Sequence, residues 1–475
     1  MLAAAPPAAA QTPLSVAVGT TPTGRPLPGG FVGVSLEYGA LHLYTGRDPR
    51  AVDPALVGLL RGLAPGQAPV IRIGGDSADF TWWPTRGAIP PPGVRYAITP
   101  GWLRTTQALA ADTGGRLIMG LNLAGHRPAL ATAEARAFLQ GIGRRYVHEF
   151  EPGNEPDLYG AIPWFRDRRG KLHYARSRSY GLSSYISEFS RWRAALPSLP
   201  LAGPALASLT WLAGLSEFLA AEPRVNLVTV HRYPLLAGVS DPTAPNYPSL
   251  ANLLSDRAAS GLAQQVAPYA AAAHARGLGF RVDEINSAAH SGQPGLSNTF
   301  ASALWVLDTL FNLAAAGVDG VNVHSLPGAA YELFTFSRPR GAWEAFVHPE
   351  YYGMLMFGRA FPPGAELLPV TAPAGPLKAW ATRGTDGHTR VVLINKDPAV
   401  AYPVELQVPG AAAASLEWLE APSLAATAGV TLGEQTFGAA STGGTLPAPD
   451  TQPVAAAGGA YTVQVPPASA VLLTQ

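Results

Sequence analysis

The sequence predicts an α/β fold, a (β/α)8 TIM barrel with a C-terminal β-sandwich, on three observations. Eight short runs rich in β-branched or aliphatic residues recur, each followed by turn residues and then by a longer segment with helical apolar spacing. From about Ala360 onward the helical spacing stops, and short alternating strands with Pro and Gly turns replace it. At 475 residues the chain exceeds the size at which one core stops growing, so one large domain and a smaller one are expected.

The eight runs are "FVGVSLE", "PVIRIGGDS", "RLIMGLNLA", "YVHEFEPGNE", "LPLAGPAL", "VNLVTVHRY", "FRVDEINS" and "VDGVNVHS". Between them lie "PALVGLLRGLA", "GWLRTTQALAADTG", "TAEARAFLQGIGRRY", "SSYISEFSRWRAAL", "LTWLAGLSEFLAAE" and "LAQQVAPYAAAAHARG", whose apolar spacing is nearer 3.6 than 2. An open doubly wound sheet is the rival, but no Gly-rich phosphate loop follows the first run. The expected organisation is a spacer and strand over residues 1–26, with "PLSVAVG" joining the sandwich, a barrel over 27–359 and the sandwich over 360–475. "AAAAS" and "STGGTLPAPDTQPVAAAGG" are poor in large apolar residues and are read as sandwich loops.

Composition excludes several functions. With 33 basic and 32 acidic residues the formal charge is +1 and no long basic run occurs, so neither nucleic acid nor an anionic membrane is an expected partner. A small, near-neutral partner and a monomeric chain are expected. The absence of cysteine rules out disulfides, thiolate metal sites and a cysteine nucleophile. "MLAAAPPAAAQTP" resembles the spacer left after a cleaved signal peptide, so a secreted or periplasmic location is expected. The most apolar stretch, residues 300–318, is interrupted by Asp308 and Asn312 and reads as a core helix.

In a parallel barrel the C-terminal strand ends share one mouth. The runs end there in Glu37, Asp76, Asn122, Asn154 with Glu155, His231 with Tyr233, Glu284 with Asn286, and His324. "HEFEPGNEPDLYG" concentrates four acids, Glu149, Glu151, Glu155 and Asp157, in a chain that is only 14% charged, as though a proton must be delivered at that rim. Glu155 and Glu284 end the fourth and seventh runs, which face each other across a closed barrel. Paired carboxyls of this kind suit glycoside hydrolysis, one protonated to release the leaving oxygen and one ionised to attack the anomeric carbon. A metal is the rival use of such acids, with His231 or His324 joining, but no HExxH or paired-His spacing supports it. No cofactor is expected.

"RIGGDSADFTWW", "GNEPDLYG", "VHRYPL" and "RVDEINSAAHSGQPGLSNTFASALWVLDTLF" resemble, in this order, glycoside hydrolase family 79, within the retaining (β/α)8 clan. The resemblance implies a β-glucuronidase or heparanase-like enzyme acting by double displacement, with Glu155 as acid/base and Glu284 as nucleophile. Asn154 would then bond the sugar 2-hydroxyl, Glu37 and Asp76 would grip hydroxyls around C3 and C4, and Tyr233 and Tyr331 would lie near the nucleophile and the C5 substituent. Such enzymes are expected to hold the uronate with a tyrosine after the nucleophile, where this chain has Ala288, Ala289 and His290. Either His290 with Ser291 and the nearby amides replaces it, or the sugar is neutral, a glucoside, galactoside or xyloside. A sugar-binding protein without turnover is a third reading.

The residues alone leave further readings open. Asp76 could cap the next segment, Glu37 could pair with Arg72, and Tyr233 could be packing. His231 and His324 could orient Glu155 or Glu284. "FRDRRGKLHYARSRS", residues 165–179, is either a solvated loop or a contact for an acidic substrate.

Overall fold

Each of the eight runs forms a strand in the computed structural model, which describes residues 12–475. The strands are β1 (Val32–Glu37), β2 (Val70–Gly74), β3 (Arg116–Leu121), β4 (Val147–Pro152), β5 (Leu201–Leu206), β6 (Val225–Arg232), β7 (Gly279–Ile285) and β8 (Gly320–Ser325). They close into one parallel barrel in sequence order, and β8 returns to β1 with Val321 opposite Val32 and Ser325 opposite Leu36. The predicted barrel and C-terminal sheet domain are thus borne out. All eight C-terminal strand ends meet on one rim.

Local signals explain the helices between them. Asp53 accepts from the Ala55 amide at 2.8 Å ahead of Pro54–Gly62, and Thr99 accepts from the Trp102 amide at 3.1 Å ahead of Pro100–Thr113. Gly114, at φ +67°, ends the second helix with the left-handed turn that glycine adopts without strain. "LTWLAGLSEFLAAE" departs from a single helix, dividing into Leu209–Leu212 and Leu215–Ala221 around Gly214. Phe300–Ala315 is buried nearly all round. One face meets the barrel, and the sandwich covers another.

That covering comes from a sheet of Glu366–Leu368, Leu377–Arg383, Thr389–Asn395, Ser469–Thr474, Ala413–Glu420 and Thr431–Leu432. Alternation splits its two faces. Val391 and Leu393 enter the sandwich core beside Val404, Leu406 and Tyr461, whereas Val392 and Ile394 join the barrel-side core. The second sheet contains Leu14–Val18, lying between Val370–Thr371 and Tyr402–Gln407. Phe311 stacks on Trp380 at 5.4 Å across the junction, and Asp308 ion-pairs there with Lys396 while accepting from the Trp380 indole at 2.9 Å. Asp308 therefore interrupts the apolar helix because it faces a buried lysine.

Two segments read as loops are strands in part. Ala413 and Ala414 of "AAAAS" open strand Ala413–Glu420, and Gln452–Ala455 pairs beside it, with Ala413 opposite Ala455 and Ala414 opposite Val454. Alanine and proline carry little strand preference, and Pro453 is tolerated because that strand lies at the sheet edge. Among the described residues no helix is long and apolar enough to cross a membrane. The spacer read as a leader remnant lies largely in residues 1–11, outside the described residues.

Candidate active site

A cavity of about 510 Å³ opens at the rim formed by the C-terminal strand ends. Glu37, Asp76, Asn154, Glu155, Tyr233, Glu284, His290, Ser291 and Tyr331 all line it, as do His231 and His324. Asn122 and Asn286 do not. Asn122 instead ties the loop after β2 to the barrel by donating to the Asp79 and Thr81 carbonyls, and Asn286 donates to the His324 carbonyl at 2.9 Å.

Glu284 is buried and held on both oxygens. Arg72 donates to Oε2 at 2.6 Å, and the Tyr233 hydroxyl donates to Oε1 at 2.9 Å. His231 and His324 each bring Nδ1 to 3.9 Å from Oε2. Burial by itself would raise this carboxyl, but His324, His231 and Arg72, with the Tyr233 hydroxyl, outweigh it and hold Glu284 well below the usual carboxylate range. It is ionised. The register shifts between Val282 and Ile285 on β7, a local irregularity that lets the adjacent residues Asp283 and Glu284 both reach Arg72.

Glu155 sits just past β4 in left-handed backbone, at φ +50°, a strained conformation for a residue with a side chain. Its amide donates to the Ala205 carbonyl at 2.9 Å, and its Oε1 lies 2.9 Å from His231 Nδ1. One oxygen of Glu155, one ring nitrogen of His231 and one oxygen of Glu284 lie within 4.8 Å of one another. Burial lowers the His231 pKa, but Glu284 and the hydrogen bond to Glu155, with Asp283, raise it to about 9 in spite of Arg72.

Beneath the rim lies a network that sequence reasoning missed. Arg72 Nε pairs with Glu151 at 2.7 Å and with Asp283 at 3.3 Å, and its other nitrogens donate to Ser35 at 3.1 Å and Asn154 at 2.9 Å. Burial and the neighbouring Glu151 push the Asp283 carboxyl well up, while at Glu151 burial is outweighed by Arg72, which draws that carboxyl below its usual range. The sequence offers Arg72 as a partner for Glu37. It pairs instead with Glu151, Asp283 and Glu284, while Glu37 accepts from the Asp76 and Ser77 amides at 3.1 and 2.8 Å. A sequence signal did exist, since an Arg inside an otherwise apolar strand has to be satisfied by acids on neighbouring strands.

The remaining residues fall around this pair. Asp76 does not cap the helical turn that it opens; its Oδ1 accepts from the Asn154 side-chain amide at 3.1 Å. Tyr331 stands beside Tyr233, with ring centroids 6.3 Å apart. His290, Ser291 and Gly292 run in succession at φ +62°, +66° and +75°. Among the described residues the Ser291 and Gly292 amides have no protein acceptor, and the Ser291 carbonyl is anchored by the Ala330 amide at 2.8 Å. The basic stretch 165–179 is partly a hairpin, Pro163–Arg166 against Leu172–Tyr174, and its Arg176 turns inward to Glu188 at 2.7 Å.

Comparison with known proteins agrees with this architecture. Residues 379–472 match the model of the glycosyl hydrolase family 79 C-terminal beta domain. The chain is 25% identical over 446 residues to a beta-glucuronidase of Neurospora crassa, covering 80% of this chain and 74% of that protein. It is 24% identical over 416 residues to a beta-glucuronidase of Aspergillus niger, covering 77% and 71%. The resemblance to glycoside hydrolase family 79 holds. Among solved structures, a 4-O-alpha-L-rhamnosyl-beta-D-glucuronidase from Fusarium oxysporum superposes with a TM-score of 0.72 at 21% identity, over 97% of this chain and all of that one. A family 51 arabinofuranosidase from Xanthomonas axonopodis superposes at 0.70 with 16% identity, over 98% and 100%. At such identities these likenesses establish the fold alone.

Proposed function

We propose that this protein is a retaining glycoside hydrolase that releases terminal β-linked D-glucuronic acid. The observation that carries the reading is the approach of Glu155 and Glu284, with carboxylate oxygens within 4.8 Å across the mouth. Retaining enzymes keep their two carboxyls about 5–5.5 Å apart, whereas inverting enzymes leave about 6.5–9.5 Å for a water. The close approach of Glu155 and Glu284 supports the retaining arrangement.

In this mechanism Glu284, ionised and held by Arg72 and Tyr233, attacks the anomeric carbon. Glu155 gives its proton to the glycosidic oxygen as that bond breaks. The sugar ester on Glu284 is then hydrolysed by water that Glu155 deprotonates, and configuration is retained. Asn154, fixed between Arg72 and Asp76, takes the 2-hydroxyl, a bond that strengthens as the oxocarbenium-like transition state forms. Glu37 and Asp76 take hydroxyls at C3 and C4. His231 orients Glu155.

The uronate carboxylate is received by the unpartnered Ser291 and Gly292 amides, with His290 and Tyr331 beside them. A neutral-sugar β-glycosidase is the second reading, favoured by Ala288–Ala289–His290 standing where a tyrosine donor would serve a uronate. p-Nitrophenyl β-glucuronide, glucoside, galactoside and xyloside, assayed side by side, separate the two. The glucuronide is expected to be cleaved fastest with retention by NMR, and Glu284→Ala and Glu155→Gln to lose several orders of magnitude in kcat while remaining folded. Wild-type turnover in either variant would refute the assignment.

A further inference from the structure

The cavity is chemically lopsided. On the side of β1, β2, β7 and β8 its wall is mostly polar, carrying Glu37, Asp76, Glu284, Ser291 and His324 beside Phe80, Ala289 and Leu326. On the side of the loops after β4 and β6, besides the site residues Asn154, Glu155, His231 and Tyr233 and the Tyr159 ring, it carries Leu158, Ile162, Trp164, Leu235 and Leu236, with Arg232 and Asn246 as further polar groups. Glu155 ends β4, so the leaving group that it protonates departs over this second wall. A sugar in that place would surrender water from several hydroxyls to aliphatic side chains that cannot replace it.

The apolar wall is built rather than incidental. Trp164 stands on the Pro163–Arg166 hairpin strand and stacks on Phe80 at 6.3 Å and 13°. The hairpin seats against Gly93, where an added Cβ would meet Phe165 at 2.6 Å and Trp164 at 2.9 Å. Neighbouring Phe165 stacks on His173 of the paired strand at 4.7 Å. The ring is thus fixed before any ligand arrives, which spares binding the entropy of ordering it. Two donors at this wall have no partner among the described residues, the buried indole N–H of Trp164 and the buried Nε of Arg232. Arg232 makes no ion pair with a described carboxylate; it donates to the Ala207 carbonyl at 3.3 Å and to Gln265.

We infer that Trp164, Leu158, Ile162, Leu235, Leu236 and Arg232 form an aglycone subsite for an aromatic, hydroxyl-poor leaving group. The ring lies among the aliphatic side chains and Trp164, and the planar guanidinium of Arg232 stacks on its face. This inference rests on the glycosidase reading for the position of the leaving group. It adds the class of molecule attached to the sugar.

The test compares methyl and benzyl β-glucuronides, whose alkoxide leaving groups are of similar basicity, with a glucuronosyl-galactose disaccharide. Benzyl is expected to exceed methyl roughly tenfold or more in kcat/KM, and to exceed the disaccharide. Trp164→Ala and, independently, Leu236→Asn are expected to collapse the benzyl-to-methyl ratio. Equal rates for methyl and benzyl, a preferred disaccharide, or a ratio unmoved in both variants would overturn the inference. Should a neutral glycoside series be cleaved in place of the glucuronides, the sugar assignment fails, and the benzyl-to-methyl ratio of that series still decides the subsite. Should no glycoside turn over, calorimetric affinities of the wild-type protein for the benzyl and methyl compounds decide it in the same way.

Discussion

Arg72→Met is the most informative single perturbation, because it removes the cation on which three buried acids and Asn154 converge. In the native protein the guanidinium contacts Glu151 at 2.7 Å, Glu284 at 2.6 Å and Asp283 at 3.3 Å, with no exposure to solvent. Methionine preserves much of the volume and none of the charge. Deleting one partner of a buried ion pair costs roughly 3–5 kcal/mol, because the other charge is left uncompensated. At about 2.1 cal/mol/K per residue, unfolding 475 residues carries an entropy of about 1 kcal/mol/K, so the melting temperature is expected to fall by about 3–5 °C. The pH dependence moves as well. Glu284 is held below its unfolded value, so its stabilising contribution is present above about 4.5 and is lost as pH falls through its lower folded value. Without Arg72 the folded value rises, and the acidic limb of kcat/KM is expected to shift to higher pH. Scanning calorimetry and a pH–rate profile read the two effects separately. Native melting together with an unmoved acidic limb would refute the idea that Arg72 organises this site.

Two other perturbations follow from the same contacts. His231 is raised from 6.5 to about 9, so its stabilisation is fully present below about 6.5 and disappears as pH climbs through about 9; at 1.36 kcal/mol per unit it amounts to at most about 3 kcal/mol. Denaturation midpoints measured from pH 6 to 10 are expected to show this decline in the wild type and a flatter profile in His231→Gln, and equal slopes would contradict a charged imidazolium. At the domain junction, Lys396→Met strands Asp308 and is expected to cost roughly 3–5 kcal/mol, while Lys396→Met with Asp308→Leu returns most of it. A double variant as unstable as the single one, by thermal melting, would show that the junction depends on the pair itself.

How much of this was legible depended on which strand position a residue held. Glu155 and Glu284 were visible because a polar residue at the end of an apolar run in a (β/α)8 pattern points to the rim. Glu151, Asp283 and Arg72 announced only that charged residues within apolar runs need partners, since the sequence does not say whether each faces the helix layer or the barrel interior or which strands lie beside it. Only the closed structure shows that the three meet. The acids of "HEFEPGNEPDLYG" illustrate the limit. Read together as proton-delivery machinery, they in fact divide: Glu151 pairs with Arg72, Asp157 accepts from the Ala207 and Ser208 amides at 3.2 and 2.7 Å, and Glu149 lies near Arg116 and Arg281. Glu155 alone of the four opens to the cavity.

The buried network also explains why so costly a set of charges is kept. Glu151, Asp283, Arg72 and His231 beneath the two rim carboxyl groups form a cluster in which the buried cations each face acids. Replacing it with apolar residues could stabilise the fold, as it does at many buried pairs. It would also let burial raise the Glu284 carboxyl towards protonation, and a protonated carboxyl cannot attack an anomeric carbon. Charge in the barrel interior is therefore tied to chemistry at the rim: Arg72 reaches Glu151 and Asp283 below and Glu284 above with one side chain, and it joins His324, His231 and Tyr233 of the cavity wall in holding the nucleophile ionised.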